Sequence, residues 1–203
     1  MHRHLAARSP HLGPPPAAYV AALLFAFLIQ LVPAWQPALL YSRSAIADGH
    51  YWRLWTGHFV HFGWPHFIAD AGLLLLLGCT LGRERPRAAW PALTALPVLI
   101  SLVLFWADPQ LDRYAGLSAL NLGLLLYFAL HGWDRGQRDW FWPGIIGLYA
   151  VELGFEAVRG GHGGGFIAFS DPSVRVATGA HLIAAGWAFV AWLASRGRST
   201  KKI

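Results

Sequence analysis

Cysteine is almost missing from this chain and charge is scarce. The lone Cys79 lies in an apolar run with no second cysteine anywhere, which excludes an internal disulfide and a cysteine-based metal or redox pair. It reads as packing. Charged residues make up only 13% of the 203 positions, against 56% hydrophobic residues and 11 Trp, a balance outside the soluble range. No H-E-x-x-H and no paired histidine boxes occur, so His58, His61 and His66 lack the companions of a metal site, and His61 reads as a structural residue of its loop. Gly160 to Gly165 is rich in glycine but lacks the Lys-Ser or Lys-Thr of a phosphate loop, and reads as a mobile cap or a plain connector. No cofactor and no metal are expected. Nor is a nucleic-acid partner: the formal charge of +6 is not gathered on one segment but stands at the ends of apolar runs, as topology signals do.

What the chain does have is apolar length. At about 1.5 Å rise per residue, runs long enough to cross a bilayer recur with short polar breaks between them. Six are expected, over about 17–35, 64–81, 88–106, 114–131, 140–158 and 173–194. The fold class is therefore an all-α integral membrane protein, a six-helix bundle forming one domain over 17–195. A polar tail, 1–16, carries Pro14-Pro15-Pro16 and is expected to be disordered; a basic tail, 196–203, closes the chain. The first run is too long for a signal-peptide core and has no small-x-small cleavage site after it. Between the first two runs, Tyr51-Trp52-Arg53-Leu54-Trp55 favours the headgroup level, so 36–63 is expected to lie in the interface.

Six spans put both termini on one side. Arg3, Arg8, Arg83, Arg85, Arg87, Arg135, Arg138, Arg196, Arg198, Lys201 and Lys202 fall there; Arg43, Arg53, Arg113, Arg159 and Arg175 fall opposite, so the basic excess puts both termini in the cytoplasm. Spans two, four and six then start on the outer side, and each carries its polar residues early: His66 and Asp70, then Ser118, then His181. Separate segments agree on one depth in the outer half of the bilayer.

The run Tyr114-Ala115-Gly116-Leu117-Ser118-Ala119-Leu120-Asn121 sets a lone hydroxyl among small residues where an apolar segment begins. The plain reading is that Ser118 bonds back to a carbonyl of its own helix. Its company argues for more. An ionisable residue inside a bilayer costs roughly 2.5 kcal/mol or more when charged, which makes His181 a functional candidate. Ala177, Ala180, Ala184 and Ala188 repeat every third or fourth residue on one face of the helix of His181, and Ala119 and Gly123 stand four apart after Ser118. Small faces permit close helix approach. If these two meet, the imidazole can take the hydroxyl proton as Ser118 attacks a carbonyl, with the Ser118 N–H and the His66 side chain as donors to the oxyanion. Glu152 and Glu156, four apart and followed by Arg159, read as a satisfied pair near the outer interface; the alternative is that Glu152 orients His181 or lines a gate.

Trp52-Arg53-Leu54-Trp55-Thr56-Gly57-His58-Phe59-Val60-His61, then His66-Phe67-Ile68-Ala69-Asp70, Gly116-Leu117-Ser118-Ala119 and Ala180-His181 together resemble, in order and spacing, the rhomboid intramembrane serine proteases. The short length and the approach from Tyr41 to Gly57 look most like the rhombosortase branch. The resemblance implies Ser118 as nucleophile and His181 as general base, a dyad without a required carboxylate. It implies that His66 and Asp70, with Gly116, form the oxyanion and substrate-binding set. The partners it implies are the lipid bilayer and transmembrane protein substrates cut near their outer end, for rhombosortases C-terminal sorting helices with a Gly-Gly motif on surface-destined proteins. It also implies a bacterial inner membrane, with the site opening to the periplasmic side. The oligomeric state is not set by these residues.

The sequence departs from the family pattern at Ala119, Ala184 and Ala188, where glycines are expected, and at Asp70, where the family usually has Asn. An ionised carboxylate only accepts hydrogen bonds and repels an oxyanion. Either burial keeps Asp70 protonated or it turns to hold His66, one helical turn away, as a charged donor; the second is the reading adopted. These departures leave one rival reading, a proteolytically inactive relative that binds membrane helices for sorting or quality control.

Overall fold

The computed structural model describes residues 13–80, 82, 85–134, 141–158 and 177–199. It is mostly helical: α1 Ala17–Leu31, a 3-10 turn Pro33–Trp35, α2 Gln36–Leu39, α3 Arg43–Ala47, α4 Arg53–Thr56, a second 3-10 turn Gly57–Phe59, α5 Trp64–Cys79, α6 Pro86–Ala107, α7 Ser118–Asp134, α8 Phe141–Val158 and α9 Thr178–Ser199. Two short strands, β1 Tyr41–Ser42 and β2 Arg113–Tyr114, pair antiparallel with Tyr41 opposite Tyr114.

Several boundaries differ from the sequence reading, each for a local reason. The first apolar run stops at Leu31, because Pro33 has no N–H to continue the ladder and pushes Val32 out of helical geometry. The chain bends there by 98°. The fourth run starts at Ser118 and not at Tyr114, since Arg113 and Tyr114 are extended and paired with β1. Residues 13–16, expected to be disordered, lie against the end of α5: the Gly13 N–H donates to the Cys79 carbonyl at 3.2 Å. By contrast, Pro91 and Pro97 lie inside α6, which remains one helix of 22 residues.

Among the described residues, α6 and α9 are each long and apolar enough to cross a membrane. The total reaches four if each of two bent pairs, Ala17–Leu31 with Pro33–Leu39 and Arg53–Phe59 with Trp64–Cys79, is one span. Six is not reached by this measure. One reason is α7, whose 17 residues give about 25 Å, short of the ~30 Å hydrocarbon layer.

The segment between α1 and α5 is held by its own polar side chains. Arg53 donates to the Pro37 and Leu40 carbonyls at 2.9 and 2.7 Å, Thr56 Oγ1 to the Leu39 carbonyl at 2.7 Å, and Trp52 Nε1 to the Ala38 carbonyl at 3.1 Å. Trp55 Nε1 reaches the Leu93 carbonyl on α6 at 3.0 Å. Backbone that has no helix to satisfy it is thus capped locally.

α7 and α9 form the tightest pair. Ala119, Ala180, Ala184 and Ala188 are fully buried, and a Cβ placed on Gly123 would come within 3.1 Å of the Ala184 Cβ. Small side chains let the two backbones close up. The pairs Ser118–His181 and His131–Ser195, separated by 63 and 64 residues, show that the helices run parallel in constant register. Trp192 Nε1 adds a 2.6 Å bond to Asp134 at the far end.

Candidate active site

Ser118 is the first residue of α7 and is half-buried; His181 lies in the first turn of α9 and is buried. The close approach of the two small faces sets Ser118 Oγ 3.0 Å from His181 Nε2. At that distance a neutral imidazole can accept the hydroxyl proton as the oxygen attacks an electrophile. As the first residue of a helix, Ser118 has no carbonyl of that helix to receive its N–H, which makes this amide a donor for developing negative charge.

The loop before Ser118 is tied down from below. Gly116 has φ +110°, and a Cβ there would stand 2.7 Å from His66 Nε2 and 3.1 Å from Asp70 Oδ2. Only glycine fits both the conformation and the space. Its carbonyl accepts from the Tyr114 hydroxyl at 3.4 Å, and the Leu117 N–H donates to Asp70 Oδ2 at 2.8 Å.

Asp70 is thus the hub. Its Oδ2 lies 3.2 Å from His66 Nε2 and 3.3 Å from His61 Nε2, the latter at ion-pair distance but out of hydrogen-bond alignment. The Phe62 N–H donates to His66 Nδ1 at 3.3 Å, which turns the Nε2 edge of the ring toward Asp70. Asn121 Nδ2 in turn donates to the Asp70 backbone carbonyl at 2.9 Å and joins α5 to α7.

The residues singled out in the sequence, His66, Asp70, Gly116, Ser118 and His181, are all brought to one end of α5, α7 and α9. Glu152 and Glu156 fall on α8, but their side chains lie outside the described residues, as do Arg159 and the run Gly160 to Gly165. Asn121 is a site residue that the sequence does mark, by its place three residues after Ser118 in an otherwise apolar run; the Leu117 and Phe62 amides carry no such mark. Among the described residues no group of three or more His, Cys, Asp or Glu is arranged to hold a metal ion.

A second serine–histidine pair, His58 Nε2 to Ser101 Oγ at 3.0 Å, has no exposed surface on either partner. No substrate reaches it. Its role is to join the segment before α5 to the middle of α6, next to Tyr114, whose hydroxyl is 3.4 Å from His58 Nδ1. Ser101→Ala is therefore expected to lower stability by about 1–3 kcal/mol, the usual effect of orphaning a buried polar group, as read by thermal unfolding in detergent. A stability equal to the wild type would show that the bond contributes nothing.

A family model described as the rhomboid domain matches residues 48–196, a stretch that takes in every residue of the cluster above. No curated sequence matches the chain. A half-buried hydroxyl against a buried imidazole, reached through small-faced helices in an apolar bundle, agrees with that match: this integral membrane protein belongs to the rhomboid family, whose members are in general intramembrane serine proteases.

Proposed function

We propose that the chain is an intramembrane serine endopeptidase in which Ser118 is the nucleophile and His181 the general base. The observation that carries this reading is the 3.0 Å contact between Ser118 Oγ and His181 Nε2 at the start of a helix. In the first step Nε2 takes the hydroxyl proton while Oγ bonds to the scissile carbonyl carbon, and the carbonyl oxygen takes the negative charge beside the Ser118 N–H. The imidazolium then protonates the departing amine as the C–N bond breaks. A water, deprotonated by the same imidazole, releases the acyl group and restores the hydroxyl. His66, Asp70 and Gly116 shape the pocket where the oxyanion forms.

The substrates are transmembrane segments cut near their outer end. Support comes from α7, whose 17 residues fall short of the full thickness of a bilayer, and from the basic excess, which favours cytoplasmic termini. On this reading the bundle has six spans, including α7 and α8, and sits in a bacterial inner membrane with the site facing the periplasm. Among candidate substrates the rhombosortase-like approach from Tyr41 to Gly57 favours C-terminal sorting helices with a Gly-Gly motif. Coexpression with such tail-bearing proteins should give a shortened product that disappears in Ser118→Ala. Equal cleavage by both would end the proposal.

The second reading, an inactive helix-binding relative, is favoured by one observation: Asp70 occupies the Leu117 N–H and puts a carboxylate beside the pocket. Binding of the same tails without cleavage by the wild type would support it.

The dyad also depends on helix spacing. Gly123→Leu would drive a branched side chain against Ala184 and wedge α7 from α9. Since about 1 Å of misplacement can reduce a rate about 100-fold, cleavage should fall by at least 10-fold while the chain still inserts. Unchanged turnover would mean that this contact does not set the Ser118–His181 distance.

A further inference from the structure

The acyl-transfer reading above leaves Asp70 without a step, and on that reading we propose that Asp70 is a positioning residue that keeps the oxyanion pocket quenched at rest. Three N–H groups stand around the start of α7: those of Ser118 and Leu117 and the His66 ring. Two of them face the same oxygen, Asp70 Oδ2, at 2.8 Å from Leu117 N and 3.2 Å from His66 Nε2. The other edge of the His66 ring, Nδ1, meets the Phe62 N–H at 3.3 Å.

The hub is also rigid. Asp70 is buried, its main chain is held by Asn121 Nδ2, and the bare α-carbon of Gly116 lies against both His66 and Asp70. Bonds to an ionised acceptor are roughly twice as strong as neutral ones, so neither N–H is released lightly. An incoming carbonyl therefore meets one ready donor, the Ser118 N–H, and a carboxylate that opposes the charge forming on its oxygen. Releasing the Leu117 and His66 donors from Asp70 is the step that turns the pocket on.

Asn at this position keeps an acceptor oxygen for Leu117 but a weaker one, and supplies an N–H of its own. With one oxyanion donor commonly worth about 100-fold or more, Asp70→Asn should accelerate covalent labelling of Ser118 by a fluorophosphonate probe by about 10-fold. The coupling with His66 separates this from a merely structural role. His66→Ala should cost at least about 10-fold more in labelling rate in the Asp70→Asn background than in the native one, where the ring is already engaged.

Labelling of Asp70→Asn at the wild-type rate or slower would overturn the proposal, with Tm in detergent checking that the variant is folded. So would a cost of His66→Ala that is the same in both backgrounds. If Asp70→Asn does not fold, Asp70→Ala, which also removes the carboxylate from both N–H groups, takes its place in both comparisons. Should neither the wild type nor Asp70→Asn be labelled above the Ser118→Ala background, the acyl-transfer reading itself falls and this proposal with it. A labelled wild type with a slower Asp70→Asn removes only the proposal.

Discussion

Ser118→Ala is expected to abolish fluorophosphonate labelling and to reduce proteolysis by at least about 1,000-fold, since nucleophile and base act as a unit. The probe reacts as a peptide does in its first step: Oγ bonds to phosphorus, fluoride leaves, and the hydroxyl proton goes to His181 Nε2, 3.0 Å away. His181→Ala should lose nearly as much, and the double variant little more. That non-additivity distinguishes a dyad from two separate binding residues. Neither single change should unfold the bundle. Ser118 is half-buried at a helix start, where Ala is tolerated, and the His181 face is lined by Ala180 and Ala184, so the helix contact survives. Labelling that persists in Ser118→Ala, and maps by mass spectrometry to another serine, would remove the assignment. The buried Ser101 beside His58 is the internal control, because a probe that needs access should never mark it.

Much of the site could be read from the sequence because helix periodicity carries it. Ala180, Ala184 and Ala188 mark a close-packing face at four-residue spacing, and Gly123 and Ala119 mark its counterpart; the contact of Gly123 with Ala184 is what those spacings mean in space. His66 and Asp70, four apart, had to share a helix face, and their side chains are 3.2 Å apart. What could not be read depends on partners distant in sequence or on backbone groups. Where α7 starts depends on Tyr114 pairing with Tyr41, and nothing local to Tyr114 announces that strand. The orientation of the His66 ring depends on the Phe62 amide, and that of the Leu117 peptide on Asp70; an amide is present at every residue and leaves no mark in composition. Pro33 is a different case. The break it makes in the first run follows from proline chemistry, yet the apolar length on either side outweighed it in the reading of one continuous span.

Gly116→Ala should be the most damaging substitution outside the dyad, with proteolysis down by about 100-fold or more and stability lower by about 2–4 kcal/mol. Two penalties combine. The φ of +110° is one that a residue with a Cβ rarely adopts, and the added carbon would stand 2.7 Å from His66 Nε2, 2.8 Å from Cε1 and 3.1 Å from Asp70 Oδ2. Neither neighbour can step aside. His66 is fixed through the Phe62 N–H and Asp70 through the Leu117 N–H, and both side chains are buried. The loop must therefore yield, carrying the Leu117–Ser118 peptide and the Ser118 hydroxyl with it. Gly49 separates the two penalties: its φ is +98°, but nothing lies within 4 Å of a Cβ placed there. Gly49→Ala should thus show the conformational cost alone, about 1–2 kcal/mol by thermal unfolding, with proteolysis unchanged. If Gly116→Ala matched Gly49→Ala in both turnover and Tm, the packing of Gly116 on His66 and Asp70 would have no part in aiming Ser118, and the nucleophile would be held by α7 alone.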